Sequence, residues 1–177
     1  MLTELDFTIL DFIQKNMRSG IGDVLMESIS ALGNHGIIFI ATALCLLLFK
    51  KTRKSGIILT IALIVGLVIC NVVLKNAVAR VRPFNAVPFR LIILPPKDFS
   101  FPSGHTLHSF ICAGVIYYTL SRKWGTVAYI FSAIMGFSRM YLYVHYPSDV
   151  LVGALLGTAI AVCTVRLCNM YLFEKQQ

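Results

Sequence analysis

Charged side chains are scarce in this sequence: only 14% of its 177 residues are Asp, Glu, Lys or Arg, whereas 57% are hydrophobic. Soluble globular domains carry roughly 25% charged residues. A chain with so few has too little polar surface to cover itself in water. The composition therefore excludes an ordinary soluble domain and favours a membrane protein.

The patterns of several common functional sites are also missing. The five cysteines form no C-x-x-C pair, so neither a zinc site nor a disulfide framework is indicated, and we predict buried packing residues. No Walker-type loop, dinucleotide fingerprint or EF-hand spacing occurs. Because internal repeats and low-complexity linkers are absent as well, residues 1–177 are interpreted as a single membrane-embedded domain.

Long uncharged stretches determine the predicted fold class; they cover residues 28–49, 56–74, 104–120, 124–138 and 150–165. A spanning helix needs about 20 predominantly apolar residues. We predict an all-α, polytopic membrane helix bundle of about five to six transmembrane helices, with spans near 28–49, 56–74, 104–121, 125–143 and 148–167. The sequence Gly33-Asn34-His35-Gly36 is expected to break or distort the first span.

The N-terminal stretch differs because it is amphipathic. Over residues 4–27, apolar positions alternate with acidic and basic ones. This spacing is typical of helices that lie in the plane of the membrane interface. We therefore expect interfacial helices over residues 1–27 and the transmembrane bundle over residues 28–177.

Basic residues outnumber acidic ones by 16 to 8, and they cluster where the predicted spans end on one side of the membrane. The clusters are Lys50, Lys51, Arg53 and Lys54, then Arg122 and Lys123, then Arg166 and Lys175. The positive-inside rule makes that side cytoplasmic. No basic stripe interleaved with exposed aromatic residues remains, so membrane lipids rather than nucleic acid are the predicted partners.

Three short polar motifs lie at the mouths of the apolar stretches. They are Lys75-x6-Arg82-Pro83, Pro102-Ser103-Gly104-His105 and Ser138-Arg139-x5-His145-x3-Asp149. Because each successive span reverses direction, all three motifs emerge on the same face, opposite the basic loops. The sequence therefore predicts one site at the extracytoplasmic face of the cell membrane.

The motifs contain the groups needed to bind a phosphate. Arg presents a planar fork of donors that matches phosphate oxygens, and Lys adds a compact charge. A glycine turn at a helix N-terminus brings backbone N–H groups close to an anion. The predicted phosphate-binding residues are Lys75, Arg82, Ser103, Gly104 and Arg139.

Two histidines and one carboxylate are the candidate catalytic groups for attack on the phosphate. His145 precedes Asp149 by four residues, so the two side chains share one helix face. A carboxylate there holds one imidazole nitrogen and leaves the other able to attack, and His105 is then the general acid. The remaining polar candidates are given interfacial or structural roles: Arg80, Arg90, His35 and His108.

These motifs resemble the three signature motifs of the type 2 phosphatidic acid phosphatase superfamily, which includes bacterial lipid phosphatases, undecaprenyl-diphosphate phosphatases and vanadium-dependent haloperoxidases. The resemblance covers residues 75–149 and departs at no signature position. It implies a helical bundle, a phosphohistidine intermediate and hydrolysis without a metal or other cofactor. It also implies that His145 is the nucleophile, Asp149 its partner and His105 the acid.

The predicted function is removal of a terminal phosphate from a lipid phosphate or diphosphate: undecaprenyl diphosphate, phosphatidylglycerophosphate or phosphatidate. Several alternatives stay open at this point. The same residues suit a lipid phosphotransferase that uses an acceptor alcohol, or a vanadate-dependent haloperoxidase, although predicted membrane spans disfavour the latter. A polytopic lipid-binding protein without catalytic activity is the third alternative.

Two apolar features concern packing. Gly153-x3-Gly157 in the last span matches the small-x3-small pattern and predicts close helix contact within the monomer. The apolar run 89–94 lies in the longest connection, residues 75–103. It is expected either to rest on the bilayer and guide a lipid headgroup, or to cap the helix bundle.

Overall fold

The computed structural model describes residues 2–173, and every regular element in that range is helical, which confirms the predicted all-α class. Residue 1 and residues 174–177 lie outside the described residues, and with them the predicted basic residue Lys175. The helices are α1 (Leu2–Asn16), α2 (Gly20–Leu32), α3 (Ile37–Leu48), α4 (Arg53–Leu67), α5 (Lys75–Val78), α6 (Pro83–Ala86), α7 (Gly104–Thr119), α8 (Arg122–Tyr141) and α9 (Pro147–Cys168).

Helices α4, α7 and α9 form the centre of the bundle. Fully buried apolar side chains from these helices pack together there, among them Ile58, Leu59, Leu107, Ile111 and Ala161. The predicted packing cysteines divide into two groups. Three are buried, whereas two point outward from their helices, which corrects the prediction for Cys45 and Cys163.

The glycine pair in α9 allows that helix to lie against α7. A Cβ at Gly153 would lie 2.9 Å from the carbonyl oxygen of Ser103, and one at Gly157 would lie 2.3 Å from that of Leu107. Any side chain at these positions would therefore push the two helices apart. The predicted close contact within the monomer is confirmed, and it holds the N-terminus of α7 beside the start of α9.

Among residues 2–173, two helical segments are long and apolar enough to cross a membrane, Arg53–Ala86 and Pro147–Phe173. The first comprises α4, the π-helical turns Val68–Leu74, α5 and, after the non-helical residues 79–82, α6. The second extends α9 by the π-helical turns Asn169–Phe173. The bent pair α2 and α3 adds a third if it is counted as one span. Helix α7 has 16 residues, which at 1.5 Å per residue is shorter than the ~30 Å hydrocarbon core. The larger predicted count of five to six spans stays a prediction.

The predicted first span, residues 28–49, is not one straight helix. Helix α2 already begins at Gly20, where the Ser19 hydroxyl accepts a hydrogen bond of 3.1 Å from the backbone N–H of Gly22. The Gly33–Gly36 sequence then bends the chain by 45°. His35 and Gly36 both have positive φ there, 54° and 72°. The break was predicted correctly, but the boundary between residues 27 and 28 falls inside α2.

The N-terminal helix α1 packs onto the bundle at the end where α8 stops and α9 starts. Leu10 and Ile13 are buried against a cluster of residues from the loop between those helices, Tyr141, Leu142, Tyr143, Val144 and Tyr146. On the opposite side of α1, Leu5 and Phe12 are more than half exposed. This helix therefore presents one apolar side to the protein and another outward, and its position in the membrane interface stays a prediction.

The apolar run 89–94 alternates between inward and outward side chains. Phe89 stacks on Tyr143 with ring centroids 4.0 Å apart, and Leu91 and Ile93 pack into the same cluster. Leu94, by contrast, is 92% exposed. The capping role is confirmed for the inward side chains, and the guiding role stays a prediction.

Candidate active site

The three polar motifs meet at one end of the bundle, where α5 ends and α7 and α9 begin. A cavity of about 650 Å³ lies between them. The motif residues that line it are Lys75, Arg82, Gly104, His105, Arg139 and His145. The prediction that the three motifs converge, which was made from the alternating direction of successive spans, is confirmed. The roles of the individual residues stay predictions.

His145 lies in the loop between α8 and α9 and is 2% exposed. Its Nε2 atom is 3.2 Å from Nη1 of Arg82, and its Nδ1 atom is 3.5 Å from Oδ2 of Asp149. A guanidinium only donates hydrogen bonds, so Nε2 must accept and the ring proton belongs on Nδ1. This tautomer turns the lone pair of Nε2 toward the cations of the cavity and the N–H toward the carboxylate.

The protonation state of His145 suits a nucleophile. Burial, followed by the charges of Arg82, Arg139 and Lys75, holds the pKa of this imidazole well below its ordinary value of 6.5. The side chain is therefore neutral at neutral pH, and the one lone pair of Nε2 accepts the hydrogen bond from Arg82. Nδ1 is buried without a hydrogen-bond partner among residues 2–173, and Oδ2 of Asp149, at 3.5 Å, is farther away than a hydrogen bond allows.

The three predicted cations are all buried at the cavity wall. Arg82 is 3% exposed and is held by the carbonyl oxygens of Val144 and Asp98, at 2.7 Å and 2.8 Å. Arg139, also 3% exposed, donates from Nη1 to the hydroxyl of Ser30 in α2. Its Nε atom is buried and has no hydrogen-bond partner among residues 2–173. Buried donors of this kind are suited to the oxygens of a phosphate.

A carboxylate that the sequence analysis did not select lies among these cations. Asp98 accepts a hydrogen bond from Nζ of Lys75 and another, 2.7 Å long, from Nη2 of Arg82. Partial burial acts to raise the pKa of Asp98, but the hydrogen bonds and charges of the two cations hold it well below its usual range. One signal was available: Asp98 is the only acidic residue between Glu27 and Asp149.

His105 begins α7 on the other side of the cavity. Its Nε2 atom lies 3.2 Å from Oδ1 of Asn34, in the turn between α2 and α3. The same turn touches the ring, because a Cβ at Gly33 would lie 2.4 Å from Cδ2 of His105. The broken span therefore positions the predicted general acid, which sequence analysis did not foresee.

Ser103 and Gly104 form the N-terminus of α7 but differ in position. Gly104 lines the cavity. Ser103 is fully buried; its backbone N–H donates to the carbonyl oxygen of Asp149 at 3.2 Å, and its hydroxyl accepts from Thr106 at 2.9 Å. The Ser103 hydroxyl thus holds the turn in place, and its direct contact with phosphate stays a prediction.

Arg80 was predicted to be an interfacial residue, and that interpretation is wrong. Its guanidinium donates to Oδ1 of Asp149 at 2.6 Å, and its side chain is only 20% exposed. Arg80 and Arg82 lie two residues apart in an extended segment that follows the positive-φ residue Ala79. Arg80 faces Asp149, whereas Arg82 faces the cavity. The spacing of the motif does not predict this difference.

Comparisons with known proteins agree with this geometry. A sequence model of the PAP2 superfamily matches residues 55–172. The chain is 40% identical over 146 residues to an undecaprenyl-diphosphatase of Sulfolobus acidocaldarius, which covers 81% of this chain and 69% of that protein. It is 34% identical over 136 residues to the undecaprenyl-diphosphatase BcrC of Bacillus subtilis, covering 74% and 69%.

The fold is similar to that of a solved membrane protein. A transmembrane PAP2-type phosphatidylglycerolphosphate phosphatase from Bacillus subtilis superimposes with a TM-score of 0.79, over 97% of this chain and 88% of that chain. The two sequences are 23% identical, so this likeness concerns the fold alone. The residues matched by the family model, 55–172, contain all three motifs and leave α1 outside.

Proposed function

Because the chain belongs to the PAP2 superfamily of phosphatases, we propose that it removes the terminal phosphate of undecaprenyl diphosphate, or of a similar lipid diphosphate, through a phosphohistidine at His145. The observation that carries this proposal is the position of Nε2 of His145. Its lone pair accepts a hydrogen bond from the buried guanidinium of Arg82 at the wall of a cavity of about 650 Å³. A phosphate that binds this guanidinium would free the lone pair for attack. A neutral imidazole among fixed cations is suited to attack on a phosphorus atom.

The first step forms a bond between Nε2 of His145 and the terminal phosphorus while the bond from phosphorus to the bridging oxygen breaks. Lys75, Arg82 and Arg139 neutralise the non-bridging oxygens, and His105 gives a proton to the departing lipid phosphate. Asp149 stabilises the imidazolium through the N–H on Nδ1. In the second step water attacks the phosphorus atom and gives its proton to His105. The bond from phosphorus to Nε2 of His145 breaks, which restores the neutral imidazole and releases inorganic phosphate.

The choice of substrate is supported by the cavity wall as well as by the named relatives. The cavity continues from the polar motifs to apolar side chains of α3 and α4, Phe39, Ile40, Leu63 and Leu67. A lipid tail is suited to that side while its phosphates lie among the cations. Phosphatidylglycerophosphate and phosphatidate contain the same terminal phosphate, so they belong in the same assay.

The proposed side of the membrane is extracytoplasmic. Lys54, in the basic cluster at the start of α4, lies 4.5 Å from the ring of Phe173 beyond the end of α9. This contact supports the inference that two of the basic clusters share one end of the bundle. The motifs lie at the opposite end, which the positive-inside rule assigns to the outside.

Phosphate release by the purified protein tests the proposal. In detergent with excess EDTA, release from undecaprenyl diphosphate should exceed release from phosphatidylglycerophosphate and phosphatidate. His145→Ala should abolish it, whereas Lys123→Ala, at an exposed position at the other end of α8 and outside the cavity, should retain it. Substrate labelled in the terminal phosphate should leave an acid-labile phosphoryl group on the quenched wild-type protein. Full activity of His145→Ala would refute the mechanism.

A further inference from the structure

The guanidinium of Arg80 connects the carboxylate of Asp149, the proposed partner of His145, to Asp6 in the N-terminal helix α1. Nη1 of Arg80 donates to Oδ1 of Asp149 at 2.6 Å and to the hydroxyl of Ser148 at 2.7 Å. Its Nη2 atom donates to Oδ2 of Asp6, in α1, at 2.7 Å. The guanidinium also lies 3.8 Å above the ring of Tyr146. The planar guanidinium of Arg80 thus bridges the carboxylates of Asp6 and Asp149, and it packs against the ring of Tyr146.

Asp6 is buried in this network although it lies in a helix that is otherwise half exposed. It is 3% exposed, and its Oδ1 atom accepts from the backbone N–H of Ser148 at 2.9 Å. Its Oδ2 atom accepts from the Ser148 hydroxyl at 2.6 Å and from Arg80. A buried carboxylate requires such compensation. Asp6 therefore fixes both Arg80 and the first turn of α9, the turn that carries Asp149.

The network contains two carboxylates and one guanidinium, so it has one net negative charge. When Nε2 of His145 attacks, the imidazole becomes an imidazolium next to Asp149, and that positive charge balances the network. Without Asp6, Oδ2 of Asp149 keeps its hydrogen bonds from the Ser100 hydroxyl and the Tyr146 N–H. Loss of the Asp6 charge would nevertheless make the network neutral and weaken its attraction for the imidazolium. Such an interaction is strongest once the imidazolium has formed, so it affects the rate of attack more than the binding of substrate.

We propose that Arg80 and Asp6 are positioning residues for the reaction: Arg80 directs the Asp149 carboxylate at Nδ1 of His145, and Asp6 holds Arg80 in place. Helix α1 is then a part of the catalytic unit, although it lies outside the residues that the family model matches. This inference rests on the proposed function only in that His145 attacks a phosphoryl group. It assigns no contact between Arg80 or Asp6 and the substrate.

The guanidinium cannot be replaced by another cation. A lysine ammonium is a single point of charge without a planar fork, so it cannot bridge Asp6 and Asp149 while stacking on Tyr146. Arg80→Lys keeps the charge and loses the bridge. Asp6→Asn keeps the shape and loses the charge. Asp11→Asn is the matched control, because Asp11 lies exposed on the same helix and accepts a hydrogen bond of 3.2 Å from the Tyr143 hydroxyl, outside the network.

The test compares kcat with KM in purified protein. Arg80→Lys and Asp6→Asn should each lower kcat by about 10- to 100-fold, as expected when a group that orients a catalytic residue is lost, while KM stays within about twofold of wild type. Asp11→Asn should change neither. Because Asp6 acts partly through Arg80 and partly through Ser148, the double variant should lose less than the product of the two single losses. Wild-type kcat in either single variant, or strictly additive losses, would overturn the inference.

Binding of orthovanadate separates this inference from the proposed substrate. Vanadate adopts the five-coordinate geometry of phosphoryl transfer when an imidazole nitrogen binds it, whereas inorganic phosphate represents the ground state. By calorimetry, the Kd for vanadate should rise about 10-fold in both variants and the Kd for phosphate should stay unchanged. Equal weakening of both anions, or of neither, would contradict a positioning role. If wild type binds vanadate but releases no phosphate from any lipid offered, the proposed substrate fails while the role of Arg80 is still decided.

Discussion

Oδ1 of Asp98 accepts a hydrogen bond of 2.7 Å from Nη2 of Arg82, at the wall of the cavity where a phosphate is expected to bind. The same carboxylate also binds Lys75. Its side chain is 52% exposed, so solvent reaches the pair. Asp98 therefore pairs with two of the cations proposed to bind phosphate, and we expect a phosphate that binds there to displace it.

Asp98→Asn should bind phosphate anions more tightly, because no competing carboxylate has to leave. A half-exposed ion pair contributes about 1 kcal/mol at most, so we expect the Kd for inorganic phosphate to fall by about fivefold or less. Asp23→Asn is the control, since that acid pairs with Arg18 away from the cavity. Calorimetric titration checks the prediction, and weaker phosphate binding in Asp98→Asn would show that Asp98 organises the cations rather than competing for them.

Arg82→Lys should lower kcat by about 100-fold, because a lysine cannot reproduce the planar fork of donors at the cavity wall. Arg90→Lys makes the same change at an exposed arginine in the following loop and should leave kcat within about twofold. Steady-state phosphate release measures both variants. Similar rates in the two would indicate that only the charge of Arg82 matters.

Gly33→Ala should displace His105, because the added Cβ would lie 2.4 Å from Cδ2 of its ring. Loss of a general acid costs about 100-fold or more when the leaving group needs a proton. We therefore expect a large loss with phosphatidate, whose alkoxide leaving group needs a proton, and a small one with p-nitrophenyl phosphate, whose leaving group needs no acid. Gly20→Ala is the control, as a Cβ there meets no atom within 4 Å. Equal losses on both substrates would argue against His105 as the acid.

Stability should fall as the pH is lowered below 6.5, partly because of His145. The pKa of this buried imidazole lies well below its ordinary value of 6.5, so below that pH the unfolded chain binds a proton that the folded chain does not. Unfolding free energy therefore rises with pH in that window. His145→Gln should make the slope shallower by up to about 1.4 kcal/mol per pH unit. Thermal unfolding in detergent at a series of pH values measures it, and an unchanged slope would contradict a neutral buried His145.

The sequence predicted the convergence of the motifs because membrane chains obey strong physical restrictions. In an apolar chain, polar groups at the mouths of spans are costly unless they have partners or a function. Alternating span direction then places Lys75, His105 and His145 on one face. The spacing of four residues predicted that His145 and Asp149 share a helix face. The structure brings them to 3.5 Å, but His145 lies in the loop before α9, so the loop and not a helical period makes this contact.

Other features of the site depend on backbone geometry that no local pattern encodes. The segment after Ala79 is not helical. Helix periodicity therefore could not predict which way the side chains of Arg80 and Arg82 point. The bend at Gly33–Gly36 was expected as a break in a span. Its contact with His105, more than 70 residues along the chain, required the folded structure.

The residues proposed to hold and attack a phosphate could be selected from the sequence alone, since charge and hydrogen-bonding capacity belong to the side chains themselves. The acidic residues that position these side chains could be identified only in the tertiary structure. Asp6 reaches the Asp149 network from 143 positions earlier in the chain, and Asp98 reaches Lys75 from within a long loop. Such contacts arise only when helices pack, because burial removes water and leaves a carboxylate to be stabilised by whichever cation the fold brings within hydrogen-bond distance.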